Sequence, residues 1–217
     1  MSSLSFETIL IRTIVIAVIA VTFSSCASPQ SPKDTRNVAQ KTPADLRPDI
    51  QTELTESFGQ NCEQFVNSFP TDFSTFTTLY GFDDANNVPR PLYGYYEEHI
   101  RYFFSCSKQM DSQKILTRLV TLCSGGKWDA DAVELLQTET LAYIESNPAM
   151  LLTELSTESN DRSASFWYFL FDGPHPNSPE NRENYKIIRG LIEKDKLQSR
   201  ILTAQYNRLL REGRKDL

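Results

Sequence analysis

Two histidines are the only side chains in this 217-residue chain whose ordinary pKa lies near neutrality, and they sit in different company. His99 follows Glu97 and Glu98 inside an aromatic run, so an imidazole stands beside two carboxylates. Those residue types can move protons, but only when a partner stands within hydrogen-bond reach of the reacting group. No nucleophile lies nearby in sequence, and the plainer expectation is a tyrosine-lined, partly buried ring making one hydrogen bond. His175 occurs in Asp172-Gly173-Pro174-His175-Pro176-Asn177-Ser178-Pro179, where the prolines stiffen the backbone and Gly173 is free to take a positive φ. A stiff loop that presents a polar ring beside a carboxylate suits recognition, because little conformational entropy is lost on binding. The same loop also serves as a connector that reverses the chain between two helices. Asp172 and His175 have the types of an acid–base pair, yet Ser163, Ser165 and Ser178 lie in no nucleophile-elbow motif.

The aromatic residues offer a second chemistry. The run from Phe166 through Trp167, Tyr168, Phe169 and Leu170 to Phe171 is apolar around its whole circumference, which predicts a helix at the centre of a domain. The alternative is that Trp167 or Tyr168 lines a groove filled by a partner, as aromatic anchors do. Tyr80, Tyr93, Tyr95, Tyr96 and Tyr102 carry the same two readings, and Tyr93 to Tyr96 follow an acidic, proline-containing loop that makes a second contact edge. The basic end made by Arg208, Arg211, Arg214 and Lys215 complements a helix macrodipole, with Glu212 and Asp216 diluting any attraction to anionic lipid. There is no CxxC or HxxxH pattern, so neither a metal nor another cofactor is expected.

These residues need elements to hold them, and from Asp49 onward a 3.6-residue apolar period dominates. Residues 49–67 form one expected helix with Ile50, Leu54, Phe58, Cys62, Phe65 and Phe69 near one face and a kink at Gly59. Thr71 is the expected N-cap of the next, which stops at Gly81. Residues 92–105 have strand propensity, but Glu97, Glu98 and Arg101 favour a helix with a wet face. Asp111 and Asp129 cap two more, Asn147-Pro148 opens another with proline in the first turn, and Asn160 or Asp161 begins the aromatic helix. Ser178-Pro179 starts the last stretch, which breaks near Lys194-Asp195. The predicted class is all-α, an irregular multi-helix bundle of seven to nine helices with a short helical solenoid as the alternative; no internal repeat is found.

The first 25 residues have the parts of an export signal: a head carrying Arg12, an apolar stretch over 13–23, and small Ser24 and Ser25 before Cys26. The stretch is about half of the ~20 apolar residues a spanning helix requires. Phe23-Ser24-Ser25-Cys26 resembles the lipobox of bacterial lipoproteins, with Phe23 where leucine is usual. The resemblance covers residues 1–26 and implies cleavage before Cys26, whose sulfur receives a diacylglycerol and holds the chain on a membrane. Ala27 rather than Asp after that cysteine resembles the family's outer-membrane sorting signal, so the implied place is the cell envelope, facing the periplasm or the cell surface. An ordinary secretory signal with an incidental cysteine is the alternative. Residues 26–48 then form the lipidated end and a proline-rich polar tether, and residues 49–217 one helical domain.

Lipidation of Cys26 leaves Cys62, Cys106 and Cys123, an odd set that permits one disulfide in an exported protein. If Cys106 lies at the turn of a helical hairpin, Cys123 stands roughly 16 Å further along the second helix. A bridge needs Cα atoms within about 7 Å, so Cys62 pairs with Cys106 or with Cys123. Three buried thiols behaving as small hydrophobes are the competing reading. The net charge is -6, and losing Glu7 and Arg12 with the signal leaves it unchanged, which excludes general nucleic-acid binding. Two functions follow: a membrane-anchored lipoprotein that binds an envelope protein, peptidoglycan or an incoming toxin through the His175 loop and its aromatic neighbours, or an envelope hydrolase in which Asp172 and His175 converge with Glu97, Glu98 or His99. An architectural role in envelope spacing is a third.

Overall fold

A computed structural model describes residues 47–213, and these are all-α. The expected signal segment, Cys26, the tether up to residue 46, and Arg214 and Lys215 lie outside the described residues. The helices are α1 (Arg47–Ser57), α2 (Cys62–Ser68), α3 (Phe73–Tyr80), α4 (Tyr96–Ser107), α5 (Ser112–Cys123), α6 (Ala132–Ser146), α7 (Pro148–Thr157), α8 (Asn160–Phe171), α9 (Pro179–Leu191) and α10 (Lys196–Glu212). A 3-10 turn, Tyr93–Tyr95, leads into α4, and β1 (Phe82–Asp83) pairs antiparallel with β2 (Val88–Pro89) in a two-residue hairpin. Among the described residues no helix is long and apolar enough to cross a membrane.

Among the described residues ten α-helices are therefore present where seven to nine were expected, because residues 49–67 break instead of bending. Gly59 adopts φ +72°, a left-handed conformation that ends α1, and the Asn61 side chain then accepts the Gln64 amide to cap α2. Helix α1 includes Pro48 in its first turn, where its missing N–H is harmless. Three other caps shift by one or two residues. Asp72, not Thr71, caps α3 by accepting the Thr75 amide at 2.8 Å, and Ser159, not Asn160 or Asp161, caps α8 by accepting the Arg162 amide. Asp129 does not cap α6. Asp131 occupies that position at φ +57°, and its carboxylate instead accepts the Tyr93 hydroxyl at 2.5 Å. Asp111, Asn147-Pro148, Ser178-Pro179 and the break before α10 stand where the sequence places them.

The core runs through all ten helices. Helix α8 is its axis: it packs on α10, α5 and α6, and Phe166, Trp167, Phe169, Leu170 and Phe171 are all buried. The α5–α6 connection passes so close to α8 that a Cβ at Gly126 would lie 2.6 Å from the Phe169 ring, so only glycine fits there. At the other end α1, α2 and α4 close on one another through Phe58, Phe65, Phe69, Tyr102 and Phe103, with ring centroids 4.5–6.1 Å apart in successive pairs. A Cys62–Cys106 disulfide with Cα atoms 5.2 Å apart ties α2 to α4, the first of the two pairings left open by the sequence. Cys123 is a buried thiol, and burial pushes its pKa upward, which makes it an inert hydrophobe.

Candidate functional site

The segment between α8 and α9 contains Pro174 and Pro176, and Pro179 opens α9; none of the three donates a backbone hydrogen bond, so the carbonyls here and at the end of α8 must find donors from other elements. They do. Gln137 on α6 donates through Nε2 to Phe169 O at 2.5 Å and to Asp172 O at 3.0 Å. Asn181 on α9 donates through Nδ2 to Phe171 O at 3.0 Å and Pro176 O at 3.4 Å, and the Tyr206 hydroxyl on α10 reaches the same Pro176 carbonyl at 3.2 Å. The Arg182 guanidinium donates to Asn177 O at 2.9 Å, and the Ser178 amide closes back onto His175 O at 2.9 Å. Asp172 pins the other side, accepting the Trp128 amide on Oδ2 at 2.8 Å. Pro176 is buried in this clasp while His175 projects into solvent. Sequence reasoning missed Trp128, Gln137, Asn181 and Tyr206. Of these only Asn181 carried a local signal, as the residue whose amide the Ser178 N-cap accepts.

Two hollows flank the loop. One, of about 210 Å³, is lined by Trp128, Glu134, Gln137, Asp172, His175 and Asn184 among others. The larger, of about 780 Å³, has Tyr168, Pro174, His175, Pro176, Leu210 and Glu212 on its walls. In the larger one the Tyr168 hydroxyl donates to Glu212 Oε2 at 2.9 Å, and Arg208 both pairs with Glu212 Oε1 at 2.8 Å and places its guanidinium carbon 4.7 Å from the Tyr168 ring centroid. Burial, with the Glu212 hydrogen bond second, pushes the Tyr168 phenol up to about 12, so it stays a hydrogen-bond donor. The surface thus offers carboxylates, a phenol, an imidazole and proline faces, a set that accepts hydroxyl-rich or cationic groups and stacks on flat ones.

The residues nominated from sequence divide cleanly. Asp172, His175 and Tyr168 share the hollow, whereas Trp167 does not. Trp167 has no exposed surface, and its indole N–H donates to buried Gln198 at 3.0 Å. This corrects the expectation that it lines a groove: on a helix apolar all round, the neighbouring Tyr168 faces outward and Trp167 inward. His99 is 2% exposed. Its Nδ1 lies 3.0 Å from the Tyr80 hydroxyl and its ring packs against Phe58, Phe65, Tyr80 and Tyr95. Burial, partly opposed by Glu98, holds its pKa down at about 4, so it is neutral at physiological pH.

Glu97 is exposed and paired with Arg101 at 3.2 Å, and Glu98 is exposed; neither lines either hollow. The serines are engaged as well. Ser178 Oγ accepts the Asn181 amide, Ser165 Oγ accepts the Gly125 amide, and buried Ser163 accepts from Gln198. Of the second contact edge, Tyr80 is buried, Tyr93 is tied to Asp131, and Tyr95 stays 56% exposed. Among the described residues no group of three or more His, Cys, Asp or Glu side chains is placed to hold a metal ion. Comparison with protein-family models, with characterised proteins and with solved structures finds no match to this chain.

Proposed function

We propose that this chain is a bacterial envelope lipoprotein, lipid-anchored at Cys26 and most consistent with the outer membrane, whose helical domain forms an irregular bundle and binds another envelope macromolecule without chemistry of its own. The partner is an envelope protein or peptidoglycan. The observation that carries this reading is the His175 loop, clasped from α6, α9 and α10 yet presenting its imidazole beside a 780 Å³ hollow. Such a loop loses little entropy when a ligand docks. The Cys62–Cys106 bridge supports an oxidising, exported setting. The hydrolase reading has less support, since His99 is sealed among aromatic rings while His175 projects into solvent from the α8–α9 loop, and Ser163, Ser165 and Ser178 all serve as structural acceptors.

Two measurements test the proposal. Cys26→Ser moves the protein from the membrane fraction to the soluble one, and mature protein beginning at another residue would refute the anchor. In-cell crosslinking and co-sedimentation with purified peptidoglycan, run on the parent and on a His175→Ala, Tyr168→Ala double variant, read the binding surface. Loss of one specific partner in the variant supports the surface, and identical capture in parent and variant removes it.

A further inference from the structure

The charge of the chain is unevenly placed. From Pro179 to Glu212, helices α9 and α10 with their turn carry eight Lys and Arg against five Asp and Glu, a net +3 within a chain whose total is -6. The same corner concentrates exposed aliphatic surface. Ile187 (38% exposed) and Leu191 (43%) stand one helical turn apart on α9, and Leu197 (41%) opens α10 just past the turn. Helix α9 turns its other side inward, stacking Tyr185 on Tyr206 with centroids 4.2 Å apart and burying Ile188, so the outer stripe is left over by the packing.

The charges around the stripe are mixed: Glu193 is exposed beside Lys194, and the Lys196 ammonium donates to the Glu193 carbonyl at 3.2 Å. Asp195 is engaged as the N-cap of α10, and Glu183 pairs with Lys186 at 3.3 Å. Lys194 and Arg200 flank Leu191 and Leu197 and have no ion-pair or hydrogen-bond partner among the described residues. Beyond them the exposed side of α10 continues through Ala204 to Arg208 and Arg211. Exposed aliphatic residues bordered by the two unpaired cations Lys194 and Arg200, with Glu193 the one exposed acid beside them, in a segment of net +3 match a surface that is apolar a few ångströms below an anionic layer.

We propose that the α9–α10 corner is a docking face for an anionic lipid bilayer, so that the domain lies against the membrane instead of hanging from it. The inference rests on the lipid-anchor reading for its reach: a random-coil chain of the length of the tether expected from the sequence over residues 27–48 has a root-mean-square reach of roughly 25 Å, which would keep the corner at high effective concentration over the lipid. Charge complementarity selects lipid headgroups as the occupant. An acidic protein partner on the same face is the alternative outcome.

Gly190 provides the probe position. It lies between Ile187 and Leu191, a Cβ there meets nothing within 4 Å, and its φ is not in the positive region. A polarity-sensitive fluorophore is attached to Gly190→Cys in the full-length lipidated protein. Cys62 and Cys106 are bridged and Cys123 is buried, and the parent chain carried through the same labelling supplies the background. The protein is reconstituted with phosphatidylcholine vesicles and with vesicles containing phosphatidylglycerol, and flotation records anchoring separately.

The expected result is flotation with both, a blue shift only with phosphatidylglycerol, loss of at least half of that shift at high salt, and its loss in a Lys194→Glu, Arg200→Glu double variant. Flotation with both but no shift, or an equal shift on both, overturns the docking face and leaves the anchor standing. Flotation and shift on phosphatidylglycerol vesicles alone support the face while refuting the anchor. Flotation with neither overturns both, and a shift produced only by an added acidic protein overturns the lipid assignment.

Discussion

Around His99, four aromatic rings and a disulfide close the space between α1, α2 and α4; around His175, side chains from α6, α9 and α10 hold a proline loop open beside two hollows. The two histidines have similar company in sequence, each near an acid and near aromatic residues. What separates them is what satisfies the polar atoms. At His99 the imidazole is itself the buried group and takes its hydrogen bond from Tyr80. At His175 the backbone carbonyls are satisfied from behind, which leaves the ring to solvent. Rigidity is thus achieved by burial in one region and by hydrogen bonding in the other, and only the second leaves a surface for a partner.

The contrast can be broken from either side. The largest effect is expected at Trp167→Ala, which empties the centre of α8 beneath the loop and strands Gln198; a loss of about 3–5 kcal/mol is expected, read by denaturant unfolding. A loss under about 1 kcal/mol would mean that the loop does not rest on that core. Next comes the staple on the other side. Replacing Cys62 and Cys106 by serine opens a link between residues 44 apart, with an expected loss of about 4 kcal/mol from loop-closure entropy. Because this loss belongs to the α1–α4 region, the response of a label beside His175 to partner should survive at temperatures where the variant is still folded.

The third effect depends on pH. His99 has its native pKa held near 4 by burial, below its ordinary value of 6.5. The unfolded chain therefore binds the extra proton first, so stability falls as pH is lowered from about 6.5 to about 4 and the His99 contribution levels off below that. Urea midpoints measured across this window should show a slope that His99→Gln, which retains an acceptor for the Tyr80 hydroxyl, removes. An unchanged slope would place the acid sensitivity elsewhere. The smallest structural effect is expected at His175→Ala: exposed and without a packing role, it should shift the unfolding midpoint by no more than about 0.5 kcal/mol while abolishing partner capture. A large destabilisation there would erase the distinction between the two regions.

Much of the frame was legible before any coordinates. Asp111, Pro148 and Ser178-Pro179 mark helix starts by local hydrogen bonding or by a missing N–H, and both causes act within one turn of chain. Some misplacements were local, a neighbour one or two residues away taking the cap at Asp72 and Ser159, and the larger ones came from longer-range packing. Asp131 stands at the head of α6 without capping it because Tyr93 reaches its carboxylate, and residues 49–67 look continuous by period although Gly59 reverses the chain so that α2 can meet α4. At the loop, the sequence pointed to Asp172, His175 and Tyr168 through stiffness and residue type. It gave no sign of Gln137 and Tyr206, which lie more than 25 residues away and act only through donors aimed at loop carbonyls.

By itself the sequence determined the all-α class, most helix limits and the presence of a stiff, histidine-bearing loop, because apolar period, caps and proline geometry are properties of neighbours along the chain. Only the tertiary structure decided that Cys62 bonds Cys106, that Trp167 is core while Tyr168 is wall, and that of two similar histidines one is sealed and one displayed. Burial and hydrogen-bond partners depend on which helices meet, and that is settled by packing over distances that no local pattern records.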